Sequence, residues 1–206
     1  MGPAVRLLLI GLFAPSLGFA ETVFLNRDLI TVEVGPGTSE GTFNNTFQAR
    51  QTIDKVIDAP SADAEEFHNQ LTHIWFTAAR DGGGLELVFD FEVSYDIEKV
   101  HFWNYTEETY DVDLLSFRFF DAVGTEIGNV ELEPALGRAG GIRAEDIPLA
   151  APLNVRRVVT MLTGTNGQTD FQNIGFTARK SDPARDPPAL DVSAQPCVPS
   201  GTVICD

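Results

Sequence analysis

HFWNYTEETYD, residues 101 to 111, sets His101, Trp103, Asn104, Tyr105 and Tyr110 against a run of carboxylates. A tryptophan beside an amide and a tyrosine suits sugar recognition. Aromatic faces stack on the C–H surface of a pyranose, while amides and carboxylates hold its hydroxyls. NYT at 104 to 106 also satisfies the N-glycosylation rule, as does NNT at 44 to 46. In a eukaryotic source Asn104 could therefore carry a glycan rather than bind one. A purely structural reading fits the same residues. Val100 and Phe102 take the inward positions of a strand, and Trp103 on the other face covers a second layer.

Three other patterns could do chemistry. GTSEG at 37 to 41 matches the Gly-x-Ser-x-Gly of a hydrolase nucleophile elbow, which needs Ser39 on a sharp strand-to-helix turn. The TFNNTF that follows is a poor helix start, and the chain lacks the strand–helix alternation of an α/β sheet. His68 and His73 have four residues between them, a spacing that does not share one helical face, and no third nitrogen or sulfur ligand is near in sequence. That argues against a zinc enzyme and leaves open calcium held by oxygen ligands. Carboxylate pairs such as Glu107 with Glu108, or Asp111 with Asp113, have the composition of a glycosidase pair. Their separation, which decides that chemistry, is not written in sequence.

The elements that must position these residues are strands. In LELVFDF, Leu85, Leu87, Phe89 and Phe91 alternate with Glu86 and Asp90, and in LSFRFFD, Leu115, Phe117 and Phe119 alternate with Ser116 and Arg118. Such alternation marks half-buried antiparallel strands. FLNRDLITVEV, IEKVHFW, VRRVVTML and NIGFTAR are further strand candidates, separated by turn-rich ARDGGG, DAVGTEIGN, LGRAGG and LTGTNGQTD. The expectation is an all-β antiparallel sandwich of jelly-roll type. One or two short helices are expected, in QTIDKVID and in SADAEEFHNQL behind Ser61.

Residues 1–20 have one positive charge at Arg6, a short apolar run, and Gly18 and Ala20 before Glu21, the layout of a secretory signal peptide. The chain is therefore expected to be exported, to a periplasmic or extracellular space. No later apolar run has the length of a membrane helix. A single domain over residues 21–180 is expected, followed by a proline-rich tail over 181–206. Cys197 and Cys205 in that tail would pair in an oxidising compartment. With 30 acidic residues against 14 basic and a formal net charge of -16, the surface repels phosphate backbones. Nucleic acid is not an expected partner.

Taken in order, VIDAP followed by THIWFT, LELVFDF, IEKVHFWNY, LLSFRFFDAVGTEIG and VRRVVTMLTGTNGQTDFQNIGFTA resemble the discoidin-like, galactose-binding-like domains. That group includes coagulation-factor C-type domains and related carbohydrate-binding modules. The resemblance runs from Ile53 to Arg179. It implies a non-catalytic module that binds carbohydrate, such as a cell-surface glycan, through loops at one end of the sandwich. By position it places ligand contacts at His73, Trp75, Asn104, Tyr105, Tyr110 and Asn166, and a structural calcium near Asp58 and Gln172. Two other readings fit the same sequence: an adhesive envelope protein that recognises another protein, and a small jelly-roll polysaccharide hydrolase or lyase. The latter needs His73 or His101 in a cleft with tyrosine or arginine.

Overall fold

The computed structural model describes residues 21–43, 53–69, 73–150 and 154–182. Residues 1–20, Asn44 and residues 183–206 of the tail, with Cys197 and Cys205, lie outside the described residues. Ten strands follow in order: β1 Thr22–Leu25, β2 Ile30–Val34, β3 Gly41–Phe43, β4 Trp75–Ala78, β5 Gly84–Asn104, β6 Leu114–Phe120, β7 Glu126–Leu132, β8 Glu145–Pro148, β9 Val155–Thr163 and β10 Gln168–Lys180. Every strand pairing is antiparallel. No helix among the described residues is long and apolar enough to cross a membrane.

The two layers of the sandwich meet in β5. Its first half, Leu87 to Phe91, pairs with β2 on one side and β9 on the other, and β6 and β7 extend that layer. Its second half, Tyr95 to Asn104, pairs with β10 and β8, and β10 carries β4 and then β3. LELVFDF and IEKVHFW are thus one strand that changes layers. FLNRDLITVEV is two: the Asn26 carbonyl accepts from the Leu29 and Ile30 amides, and this turn sends β1 to β10 and β2 to β5.

The alternating apolar faces make the core as expected. Leu85, Leu87, Phe89, Phe91, Leu115, Phe117 and Phe119 are buried together with Phe171 and Phe176. Full burial of each such side chain contributes about 1.5–3 kcal/mol. Phe89 and Phe91 both meet the Phe176 ring edge-on, at centroid distances of 5.3 and 5.5 Å.

The outer face of the β5–β10 layer is covered as well. Trp103 is fully buried against Ala59 and Ile142, and its Nε1 donates to the Ala64 carbonyl at 3.0 Å. The cover is the segment expected to be helical, SADAEEFHNQL. Through Asn69 it runs without helix, and Glu66 exchanges backbone hydrogen bonds with Ile142 at 2.8 and 2.7 Å. A strand-like bridge and the indole's hydrogen bond outweigh a weak local helical preference. The one helical element described is a 3-10 turn, Ile53–Ile57, which buries Val56 and Ile57.

GTSEG folds as an extended strap. The Ser39 amide donates to the Gly84 carbonyl, the Ser39 hydroxyl accepts from the Gly84 amide at 3.0 Å, and the chain enters β3 rather than a helix. Ser39 is therefore not on a nucleophile elbow.

Candidate functional site

Strand β5 ends at Asn104, where the chain must reverse without leaving polar groups unpaired. The Asn104 amide nitrogen donates to Asp111 Oδ2, the Val112 carbonyl and the Ala135 carbonyl, and its oxygen accepts from the Tyr105 and Val112 amides. This one side chain ties three segments together. A Cβ on Gly137 would stand 2.3 Å from the Asn104 carbonyl oxygen, so only glycine lets the 133–137 loop lie so close. Asn104 is 2% exposed with every polar valence spent inside the protein. It positions the loop end, and it is closed to glycosylation in the fold.

The TEETYD loop is fastened from below. The Tyr110 and Asp111 amides donate to the Glu107 carbonyl, and the Asp170 amide donates to the Tyr110 carbonyl at 2.8 Å. Asn166, at the exposed tip of the β9–β10 turn, donates from its side chain to the Thr109 carbonyl and accepts from the Gln168 amide. Loops 105–113 and 164–168 therefore form one surface.

A second group of side chains lies beneath that surface. Asn69's carbonyl accepts from both the backbone amide and Nδ1 of His73, and this aims His73 Nε2 at Asp170 Oδ1, 2.9 Å away. His68 packs on His73 with ring centroids 4.3 Å apart, and its Nε2 lies 3.3 Å from the Tyr105 hydroxyl. Tyr105 in turn packs on Tyr110 at 6.4 Å. His73 and Tyr105 are buried, His68 is half-buried, and Tyr110 is 40% exposed.

Burial shapes the acid–base character here. It lowers the His68 pKa, with help from neighbouring His73 and against the pull of Asp170 and Glu107. It raises the Tyr105 hydroxyl, helped by Glu107, Asp170 and Tyr110, which is the opposite of what a tyrosine base requires. Asp111 is pushed up to about 6 by burial and by Asp113 and Glu108, against its hydrogen bond from Asn104.

Of the residues singled out from sequence, His73, Tyr105, Tyr110 and Asn166 share this end with Asn104. Trp75 is half-buried on β4, opposite Asp170 in the ladder. His101 lies elsewhere, with Nδ1 2.7 Å from Asp146 Oδ1 and Nε2 2.6 Å from the Thr177 hydroxyl. Asp170, which no sequence pattern marks, joins the site with His68 and Asp111, and the pairing of His68 with His73 that their spacing argues against is met here through Asp170. The five-residue step from His68 to His73 puts them on one face of neither a helix nor a strand, so their meeting is a property of the tertiary structure.

The donor set near Asp58 does not suit calcium. Asp58 Oδ2 already holds the Lys55 ammonium and faces the Arg27 guanidinium at 4.0 Å. The Ile57 and Ala59 carbonyls accept from Arg27 and Asn26. Gln172, at the β10 bulge, is buried with its Nε2 unpaired, while the neighbouring Asn173 takes the Ala59 amide. Two cations at Asp58 and a neutral amide at Gln172 make this a poor donor set for a hard cation.

Two grooves open beside the site. One, of about 390 Å³, is lined by Glu108, Asp111, Asp113, Glu133, Leu136 and Thr165, and a second of about 560 Å³ runs past Asn104 between Glu65 and the 135–145 loop.

No protein-family model and no curated protein matches this chain. Among solved structures, an F5/8 type C domain from Bacteroides fragilis superposes with a TM-score of 0.50 at 9% identity, covering 78% of this chain and 98% of that one. The fold is that of an F5/8 type C domain. A family 32 carbohydrate-binding module from C. perfringens, in complex with galactose, aligns at 8% identity over 76% of this chain and 99% of that one, with a TM-score of 0.49. The lectin domain of lectinolysin, complexed with Lewis B antigen, aligns at 10% identity over 79% and 94%, with a TM-score of 0.44.

Proposed function

We propose that this chain is an exported, non-catalytic module that binds carbohydrate at the loop end built on Asn104. One observation carries the reading: Tyr110, 40% exposed and packed on Tyr105, belongs to the same 105–113 loop as Glu108 and Asp113, which line a groove together with Glu133 and Thr165. An aromatic face next to carboxylate and hydroxyl acceptors is what a pyranose needs, since its C–H face stacks and its hydroxyls donate. The carboxylates also set the sugar class. They repel uronic and sialic acids and favour neutral or amino sugars.

Binding of neutral or amino-sugar glycans on an array, equal with calcium and with chelator, supports the reading. An array blank in both conditions overturns it. Phe67, 65% exposed next to His68, favours a second reading, an adhesive protein contact at the same end. Under that reading the array is blank and Phe67→Ser alone abolishes attachment to cell-envelope protein.

A further inference from the structure

The trio His68, His73 and Asp170 carries more than a role in packing. One ligand atom from each lies within 4.8 Å of the other two, and no other trio of His, Cys, Asp or Glu among the described residues comes as close. The side chains arrive from two distant parts of the chain. His68 and His73 precede β4 in the sequence, and Asp170 lies on β10, held through its own amide by the Tyr110 carbonyl.

Each histidine is oriented as a metal ligand is. A carbonyl oxygen can only accept, so the contact with Asn69 places the His73 proton on Nδ1. His73 Nε2 then faces the Asp170 carboxylate oxygen at 2.9 Å. Two electron-rich atoms at that distance require a positive bridge between them, either a proton or a metal ion. His68 shows the same outer support. Its Nε2–H can donate to the Tyr105 hydroxyl oxygen, 3.3 Å away, which leaves the Nδ1 lone pair for a cation. Nδ1 is buried and has no hydrogen-bond partner. A buried ring nitrogen with no partner carries a desolvation cost that a bound cation would remove. Outer hydrogen bonds to a carbonyl and a hydroxyl are the usual means of fixing ligand tautomers.

We propose that His68 Nδ1, His73 Nε2 and Asp170 form a binding site for a divalent transition cation of the zinc type. Nitrogen and carboxylate donors at bond lengths of about 2.0–2.2 Å stand roughly 3.3 Å apart around tetrahedral zinc. The His73–Asp170 gap of 2.9 Å is near that spacing. A small swing of half-buried His68 closes the third edge. Three protein ligands leave a further position for water or an external oxygen donor. The proposal stands independently of sugar binding.

The test is Co(II) titration of the full chain with Cys197→Ser and Cys205→Ser, so that thiolates do not compete, read by Co(II) visible absorption and by zinc-dependent melting. One equivalent of Co(II) is expected, displaced by Zn(II), with Tm rising on zinc addition. His68→Ala, a half-buried loop change that leaves the core intact, is expected to weaken Co(II) binding at least about 10-fold and abolish the Tm rise. Asp170→Asn, checked for folding by circular dichroism, is expected to do the same. Absence of a Co(II) spectrum and of a Tm shift in the parent chain would mean a proton-bridged His–Asp pair only and overturns the site. Undiminished binding in His68→Ala overturns it equally.

Discussion

Two buried histidines in this sandwich each face an aspartate, and they have been finished differently. His101 meets Asp146 at 2.7 Å and Thr177 at 2.6 Å, so both ring nitrogens are satisfied, and Asp146 is 49% exposed and also pairs with Lys99. His73 meets buried Asp170, and beside them His68 keeps a buried nitrogen with no partner. The first constellation is closed on itself between β5, β8 and β10. The second sits under the loops that Asn104 organises, next to exposed Tyr110 and an acidic groove. Completed hydrogen bonding fits a structural histidine, and the unpartnered buried nitrogen of His68 is the observation on which the proposed cation site rests.

Asn104→Ala removes the hub beneath the open end and leaves buried amides and carbonyls unpaired. A loss of about 4 kcal/mol in urea unfolding is expected, with loss of any ligand binding. A cost under about 1 kcal/mol would show that the loops do not depend on this hub.

Asp111 supplies a pH test. Its folded pKa of about 6 lies above the ordinary 3.8, so the folded state holds the proton more tightly. The stability this gives is fully present below about pH 4 and is lost as pH rises through about 6. Asp111→Asn should flatten that decline and gain on the order of 2–3 kcal/mol at neutral pH, read from denaturation at stepped pH. An unchanged profile would place the carboxyl in water.

The closed pair should be sensitive where it is buried and indifferent where it is exposed. Thr177→Val strands His101 Nε2 and should cost about 1.5 kcal/mol in thermal melting. Asp146→Asn, at the surface, should cost well under about 1 kcal/mol. His68→Ala should be close to neutral for stability in chelator, because nothing in the protein completes that nitrogen. A cost for His68→Ala equal to that for Thr177→Val would erase the distinction between the pairs.

Much of the sandwich is legible in single strands. Alternation in LELVFDF and LSFRFFD identifies the buried face of β5 and β6 residue by residue, because one side of each strand meets the core. It fails for β10, where Thr169 to Phe176 are buried on both faces, one by the core and the other by the Phe24 ring, Trp103 and the 59–66 segment. Periodicity also cannot see the tertiary bridge that keeps Glu66 extended. The site is legible only in part. Tyr110 and Asn166 stand out as an aromatic and an amide among turn residues. Asn104 stands out too, but the structure gives its amide to the protein. The meeting of His68 and His73 with Asp170 carries no local signal, since it joins residues about a hundred positions apart and depends on strand register.

The most direct test of the loop end as the binding end is backbone chemical-shift mapping during titration with the strongest array glycan. Shifts are expected at the amides of Glu108, Tyr110, Thr165 and Asn166, none at His101 or Asp146, with the response lost in Tyr110→Ala. Shifts confined to the groove around Asp121, Gly124 and Arg157, which is lined by β6, β9 and the β6–β7 turn, would contradict it.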